Sequence, residues 1–171
     1  MSDATAFVPN THTGPVWERA RALVTQPARD DAPWEVVREE MAVRELIHRY
    51  AYAWDQSDID GLLRLFTDDG VIHEAEGTTA GPAALRARYE RQVAATAHRF
   101  HLFTNVIVRV ADDLRSATAS SYFHVLLQKV GQAPRALGGL IVDDAVKQDG
   151  AWKFRTRSLT IDISYAPASG G

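Results

Sequence analysis

Asp55 and His101 are the residues of this chain best suited to moving protons. A carboxylate that accepts from one imidazole nitrogen fixes the ring tautomer and leaves the other nitrogen free to titrate near neutral pH. The two lie 46 positions apart, so only a fold that closes that gap can make them a pair. Other reactive groups are sparse. His98 and His101 are three apart, which puts them on opposite faces of a strand, and His73-Glu74 lacks the second histidine of a helical zinc motif. No metal site is expected. The chain has no cysteine, which removes thiolate nucleophiles, thiolate metal ligands and disulfides together. There is no glycine-rich phosphate loop and no G-x-S-x-G elbow, so nucleotide binding and acyl-enzyme chemistry have no signature, and no cofactor is expected.

The elements that must position these residues are readable from hydrophobic period. Residues 1–32 mix Pro, Thr, Asp and Ala around one short helical stretch, Val16 to Val24, and are expected to form an arm packed on the domain or on a neighbouring subunit. Residues 33–166 are expected to form the folded domain, and 167–171 a flexible tail. Pro33 is placed to start a helix whose stripe is Val43, Leu46, Ile47, Tyr50 and Trp54, with Asp55 just past its buried edge. Ser57 with Asp60 resembles a capping box, and Ile59, Leu62, Leu63 and Phe66 make the next amphipathic face. Val71 to Ala75 reads as a short strand, Glu76 to Pro82 as turn, and Leu85, Tyr89 and Val93 as a third helix.

From Arg99 onward the period is two. Arg99–Ala111, Ser116–Val130, Ala136–Gln148 and Ala151–Tyr165 read as four long strands, the last two joined by an Asp-Gly turn. Sequential strands with short turns make an antiparallel meander, and helices placed before them must cover one face, so the class is α+β. Alternation puts His101, Phe103, Asn105 and Ile107 on one face, and His124 on the next strand is a candidate for the same side. In the last strand Trp152 and Phe154 have one facing parity and Leu159, Ile161 and Ile163 the other. A bulge near Thr156 to Ser158 is therefore expected, with Arg157 at the switch. Strands apolar on both faces exceed what one helical layer can bury, which points to a homo-oligomer, a dimer or trimer.

Composition bounds the partners. Charged residues are 24%, the apolar set 46% and the net charge −3. That is a globular composition without the basic excess that nucleic-acid binding requires. No apolar run reaches the length of a membrane span and the start lacks a signal-peptide pattern, so no membrane partner and a cytoplasmic location are expected. Sixteen arginines against three lysines, with abundant alanine, suggest a GC-rich bacterial gene.

The stretch RYAYAWDQSDIDGLLRLFTDDGVI and the strand HLFTNVIV, with DGAWKFRTR near the end, resemble the SnoaL-like, scytalone dehydratase-like branch of the nuclear transport factor 2-like superfamily. The resemblance covers roughly residues 40 to 165. It implies a cone-shaped, curved antiparallel sheet with helices packed on its concave face. It also implies that Asp55 and His101 are the catalytic acid–base pair and that Arg157 falls on the arginine of the branch's dehydrochlorinase. The branch's dehydratase carries tyrosine where this chain has Trp54 and asparagine where it has Ile141.

On that reading His101 is the base, Asp55 holds its tautomer, Arg157 meets developing negative charge and Asn105 positions the substrate. A cavity lined by Trp54, Phe66, Tyr89, Phe103, Tyr122 and Ile141, with His124 beside it, suits a hydrophobic small molecule. The expected activity is that of a cofactor-independent lyase of the dehydratase type. An isomerase or polyketide-type cyclase using the same dyad is the alternative, as is a non-catalytic accessory subunit such as that of an oxygenase.

Overall fold

The computed structural model describes residues 12–165. The expected tail at 167–171 and the first eleven residues of the expected arm lie outside them. Among the described residues four helices, α1 (Pro15–Val24), α2 (Trp34–Asp55), α3 (Ile59–Arg64) and α4 (Pro82–Ala95), accompany six strands. These are β1 (Phe66–Glu74), β2 (Gly77–Ala80), β3 (Thr96–Val110), β4 (Ser116–Lys129), β5 (Arg135–Gln148) and β6 (Ala151–Tyr165). The class is α+β, as its sequence periods predict. The strands form one sheet in the order β2-β1-β6-β5-β4-β3. The sheet is mixed rather than wholly antiparallel, because β1 runs parallel to β6, with Ile72 opposite Arg157. A nine-residue strand beginning at Phe66 replaces the expected helix end, and Thr78 and Thr79 of the expected turn pair with His73 and Ile72.

The stripe on α2 packs as its spacing requires. Val43, Leu46, Ile47, Tyr50 and Trp54 are buried against Val108, Val110, Ala117, Trp152 and Phe154 of the sheet. Pro33 is the residue before the first turn. The cap of α3 is Asp58, whose carboxylate accepts from Gly61 N at 2.7 Å, and not Ser57. Ser57 instead takes φ 60° and turns the chain away from α2. Phe66 leaves the α3 face because its neighbour Leu65 accepts from Phe154 N at 2.8 Å, which starts strand pairing there.

The opposite face of the sheet is partly covered by the chain itself. Ala20 of α1 packs with Leu140 and Val142, which alternate on β5 with the inward Ile141 and Asp143. One helix of the N-terminal arm thus does part of what was expected of a second copy.

Two bulges set which residues face inward. On β3, Thr104 pairs with Tyr122 but Ile107 with Ser120, leaving one extra residue at Asn105, whose φ is 51°. His101 and Phe103 before it point one way, and after it Val106 and Val108 take over that side. On β6, Phe154 pairs with Ala145 and Thr156 with Asp144, so the extra residue is Arg155, one position ahead of the expected stretch. A third irregularity between Gly138 and Gly139 brings the β6 backbone against Gly139, where a Cβ would stand 1.9 Å from the Thr160 carbonyl oxygen. Gly139→Ala is expected to lose about 1–3 kcal/mol in urea unfolding, since neither strand can shift without breaking its ladder. An unchanged midpoint would mean that the sheet yields at this point.

Candidate active site

The inner face of the sheet, the end of α2 and one side of α4 enclose a cavity of about 890 Å³. Its sheet wall is apolar, built from Phe103, Phe123, Val125, Leu137, Ile141, Leu159 and Ile161. Tyr50 and Trp54 close it from α2, and Glu74, Arg88, Arg91 and Gln92 border the far side.

His101 lies on this wall. Its Nδ1 is 2.6 Å from Asp55 Oδ1, and its backbone N–H donates to Asp55 Oδ2 at 3.0 Å. Both oxygens of one carboxylate therefore grip the same residue, one through the ring and one through the main chain. With Nδ1 as the donor to an ionised carboxylate, Nε2 carries the lone pair. The pair is held in place from behind. Arg99, two residues before His101, donates from Nε to the Trp54 carbonyl at 2.8 Å and from Nη2 to Ser57 Oγ. Its guanidinium carbon is 4.5 Å from the centre of the Trp54 ring. A cation thus joins the Ser57 N–H on the Trp54 carbonyl at the C-terminal end of α2, where the helix dipole favours positive charge, and ties that end to β3. Asp55 is thereby delivered to His101.

Burial pushes the His101 pKa below its ordinary 6.5, the Asp55 hydrogen bond and charge opposing this and the nearby Arg99 and Arg157 charges adding to it. The ring is therefore neutral at neutral pH and able to accept a proton. Desolvation prevails over the partner because the side chain is only 10% exposed.

The remaining expected site residues divide clearly. Trp54, Phe103 and Ile141 line the cavity. Phe66 and Tyr89 are buried one layer behind it, Phe66 with its ring 6.3 Å from Tyr50 and Tyr89 with its ring 5.0 Å from Trp54. Asn105 is exposed at the β3 bulge and does not share the face of His101, because the extra residue turns it out. Tyr122 and His124 are on the outer face. The register sets Phe103 opposite Phe123, so Phe123 and Val125 take the inward positions and Tyr122 meets Trp17 of α1 instead.

Arg157 is not on the cavity surface. It is 2% exposed and donates from Nε and Nη2 to Asp143 at 2.7 and 3.1 Å, with its guanidinium 3.9 Å from the Tyr50 ring centre. The expectation that it meets substrate charge directly is corrected by this bidentate pairing beneath the floor. Its partner Asp143 is wholly enclosed, and burial raises that carboxyl's pKa against the pull of Arg157. Arg99, Tyr50, Arg88 and Phe123 belong to the cavity, yet the sequence reading passed over them. Arg99 shares strand parity with His101, and Arg88, Arg91, Gln92 and Ala95 follow helical spacing, so both signals were present. Among the described residues no cluster of His, Asp and Glu has the makings of a metal site, and no helix is long and apolar enough to cross a membrane.

Residues 35–158 match the SnoaL-like domain family, and the chain belongs to it, within the nuclear transport factor 2-like superfamily. No curated protein matches the chain. Among solved structures it is similar to one described as a scytalone dehydratase by assignment, from Novosphingobium aromaticivorans. The identity is 20% and the TM-score 0.72, over 79% of this chain and 91% of that one. Hexachlorocyclohexane dehydrochlorinase LinA-type3 from Novosphingobium barchaimii is similar at 17% identity and TM-score 0.70, over 78% and 93%. ActVI-ORFA from Streptomyces coelicolor is similar at 26% and 0.61, over 71% and 96%.

The pH behaviour of His101 follows from its surroundings. An NMR titration should place its midpoint below 6.5, and Asp55→Asn should move it lower still, by removing a group that favours the protonated ring. Because the unfolded chain holds that proton more tightly, this contribution to stability is complete above about pH 6.5 and declines as pH falls towards the folded-state value. A midpoint at or above 6.5 in the wild type would contradict this account of the site.

Proposed function

We propose that the protein is a cofactor-independent lyase of the dehydratase type, acting on a hydrophobic small molecule. The observation that carries this reading is the imidazole of His101, clamped by Asp55 at 2.6 Å beside the apolar side chains of the cavity wall. His101 Nε2 takes a proton from a carbon made acidic by a neighbouring carbonyl, and Asp55 stabilises the imidazolium that forms. The electron pair left on carbon forms the new double bond as a hydroxyl departs from the adjacent carbon. The imidazolium returns its proton to that hydroxyl, which leaves as water. An isomerase or cyclase would share the first step and differ only in where the proton and the electron pair go next. The family relationship supports small-molecule chemistry in this cavity, and a non-catalytic accessory role would leave the clamped imidazole without a purpose.

Proton abstraction can be tested without the natural substrate, by following deuterium uptake into 2-tetralone in D2O by NMR. His101→Ala should reduce the protein-dependent rate by about 10² or more while preserving the circular dichroism spectrum. Wild-type exchange no faster than buffer, or equal exchange in the variant, would remove His101 as the base.

We further propose that the protein is a homo-oligomer, joined through the part of the outer sheet face that α1 leaves uncovered. Phe100 is 65% exposed, Leu126 48% and Tyr165 54%, side by side across a shallow apolar groove. Light scattering should give a dimer or trimer mass for the wild type and a monomer mass for Phe100→Asp/Leu126→Asp. A monomeric wild type would refute it.

A further inference from the structure

The cavity has two unlike sides. Opposite the apolar sheet wall, Arg88, Arg91, Gln92 and Ala95 of α4 line it at the spacing of one helix face. Leu85 and Tyr89 on the neighbouring stripe are the ones that enter the core. Cations outnumber anions among the charged residues of the lining: Arg88 and Arg91 from α4, and Arg99, Lys129 and Arg135 from β3, β4 and β5, against Glu74 and Glu76, in a chain of net charge −3.

These cations are not equally satisfied. Arg99 is committed to Trp54 and Ser57. Arg88, 7% exposed, donates from Nε and Nη2 to Glu74 at 3.1 and 2.5 Å, which fixes its fork, while its buried Nη1 has no acceptor among the described residues. That nitrogen has no exposed surface of its own, so a ligand in the cavity can meet only the edge of Arg88 that lies on the lining. One turn further along, Arg91 has no carboxylate partner among the described residues. A guanidinium fixed by Glu74 and an exposed cation without a carboxylate partner therefore share the α4 side of the cavity.

We propose that the substrate of this site carries a carboxylate, and that Arg88 and Arg91 are the residues that recognise it. The inference rests on the cavity being the substrate site and deepens the functional reading by naming a substrate class, an apolar skeleton with an acidic edge. The skeleton lies on Phe103, Phe123 and Ile141, and the carboxylate meets α4. Planar fork geometry suits a carboxylate. The anchored end is thereby kept apart from the carbon presented to His101.

Isothermal titration of the full chain with 2-naphthoate and with its neutral counterpart 2-naphthamide tests this without turnover. Naphthoate should bind about tenfold more tightly, the difference expected of a charge-assisted contact. Arg91→Gln, an exposed position, should shrink the preference to roughly threefold and also weaken the salt dependence of naphthoate binding. Arg88→Lys keeps the charge beside Glu74 but loses the fork, and the double variant should bind both probes alike. Equal affinities in the wild type, no naphthoate binding at millimolar concentration, or a preference that survives the double variant would each overturn the proposal. His101→Ala should retain the preference, so failure of the base and failure of the anchor give different results.

Discussion

The geometry of this protein turns on a carboxylate that uses both of its oxygens on one residue. Asp55 holds the ring of His101 with Oδ1 and its main-chain N–H with Oδ2. A single contact to the ring would leave the imidazole free to swing about its Cα–Cβ bond. Two contacts, one to the backbone, fix the position of the acid relative to the strand before the ring is considered. The arrangement demands that the last turn of α2 end at a defined height over β3. Arg99 supplies that by bonding the Trp54 carbonyl and stacking on the Trp54 ring. Helix end, arginine, carboxylate and imidazole thus form one mechanical unit, and it spans the interface between the helical layer and the sheet.

Beneath the cavity floor a second polar pair is buried without facing the cavity. Arg157 and Asp143 are 2% and 1% exposed and meet in a bidentate pairing. Isolated, either charge would be costly in this setting; the pairing and the Tyr50 and Phe154 rings against the guanidinium offset part of that cost, while Arg157 Nη1 is buried without a hydrogen-bond partner among the described residues. The pair joins β5 to β6 immediately past the Arg155 bulge, where the ladder is weakest. Its charge still reaches His101, where it disfavours protonation of the ring. The residue thus acts through the floor and not by contact.

Much of the architecture was legible because it depends on period alone. The α2 stripe and the four long strands follow patterns of 3.6 and 2 that leave little choice. Even the reversal of parity on β6 could be read, since Phe154 and Leu159 cannot face the same way without an extra residue between them. The bulge at Asn105 could not be read in this way. Val106, Ile107 and Val108 are all apolar, so a strand written straight through them looks as consistent as a bent one. That ambiguity misplaced Asn105, and a one-residue uncertainty on β4 put Tyr122 and His124 inward where Phe123 and Val125 belong. Arg157 was placed at the switch itself, which lies two positions earlier at Arg155, and was given the wrong surroundings. Its burial depends on Asp143, fourteen positions away on another strand, and no local pattern reports such a partner. Phe66 was lost to β1 for a similar reason: a parallel pairing with β6 lies far off in sequence and leaves no turn signal.

The position of β6 in the sheet bears on how the polypeptide folds. In the order β2-β1-β6-β5-β4-β3, the final strand separates the first hairpin from the other three strands. Until β6 is in place, β1 has no neighbour but β2, and Trp152 and Phe154 are missing from the centre of the packed interior. The apolar face of α2 is therefore incompletely covered until β6 docks, and closure of the sheet is a long-range event. A slow, topology-limited closure of the sheet is the cost of that strand order.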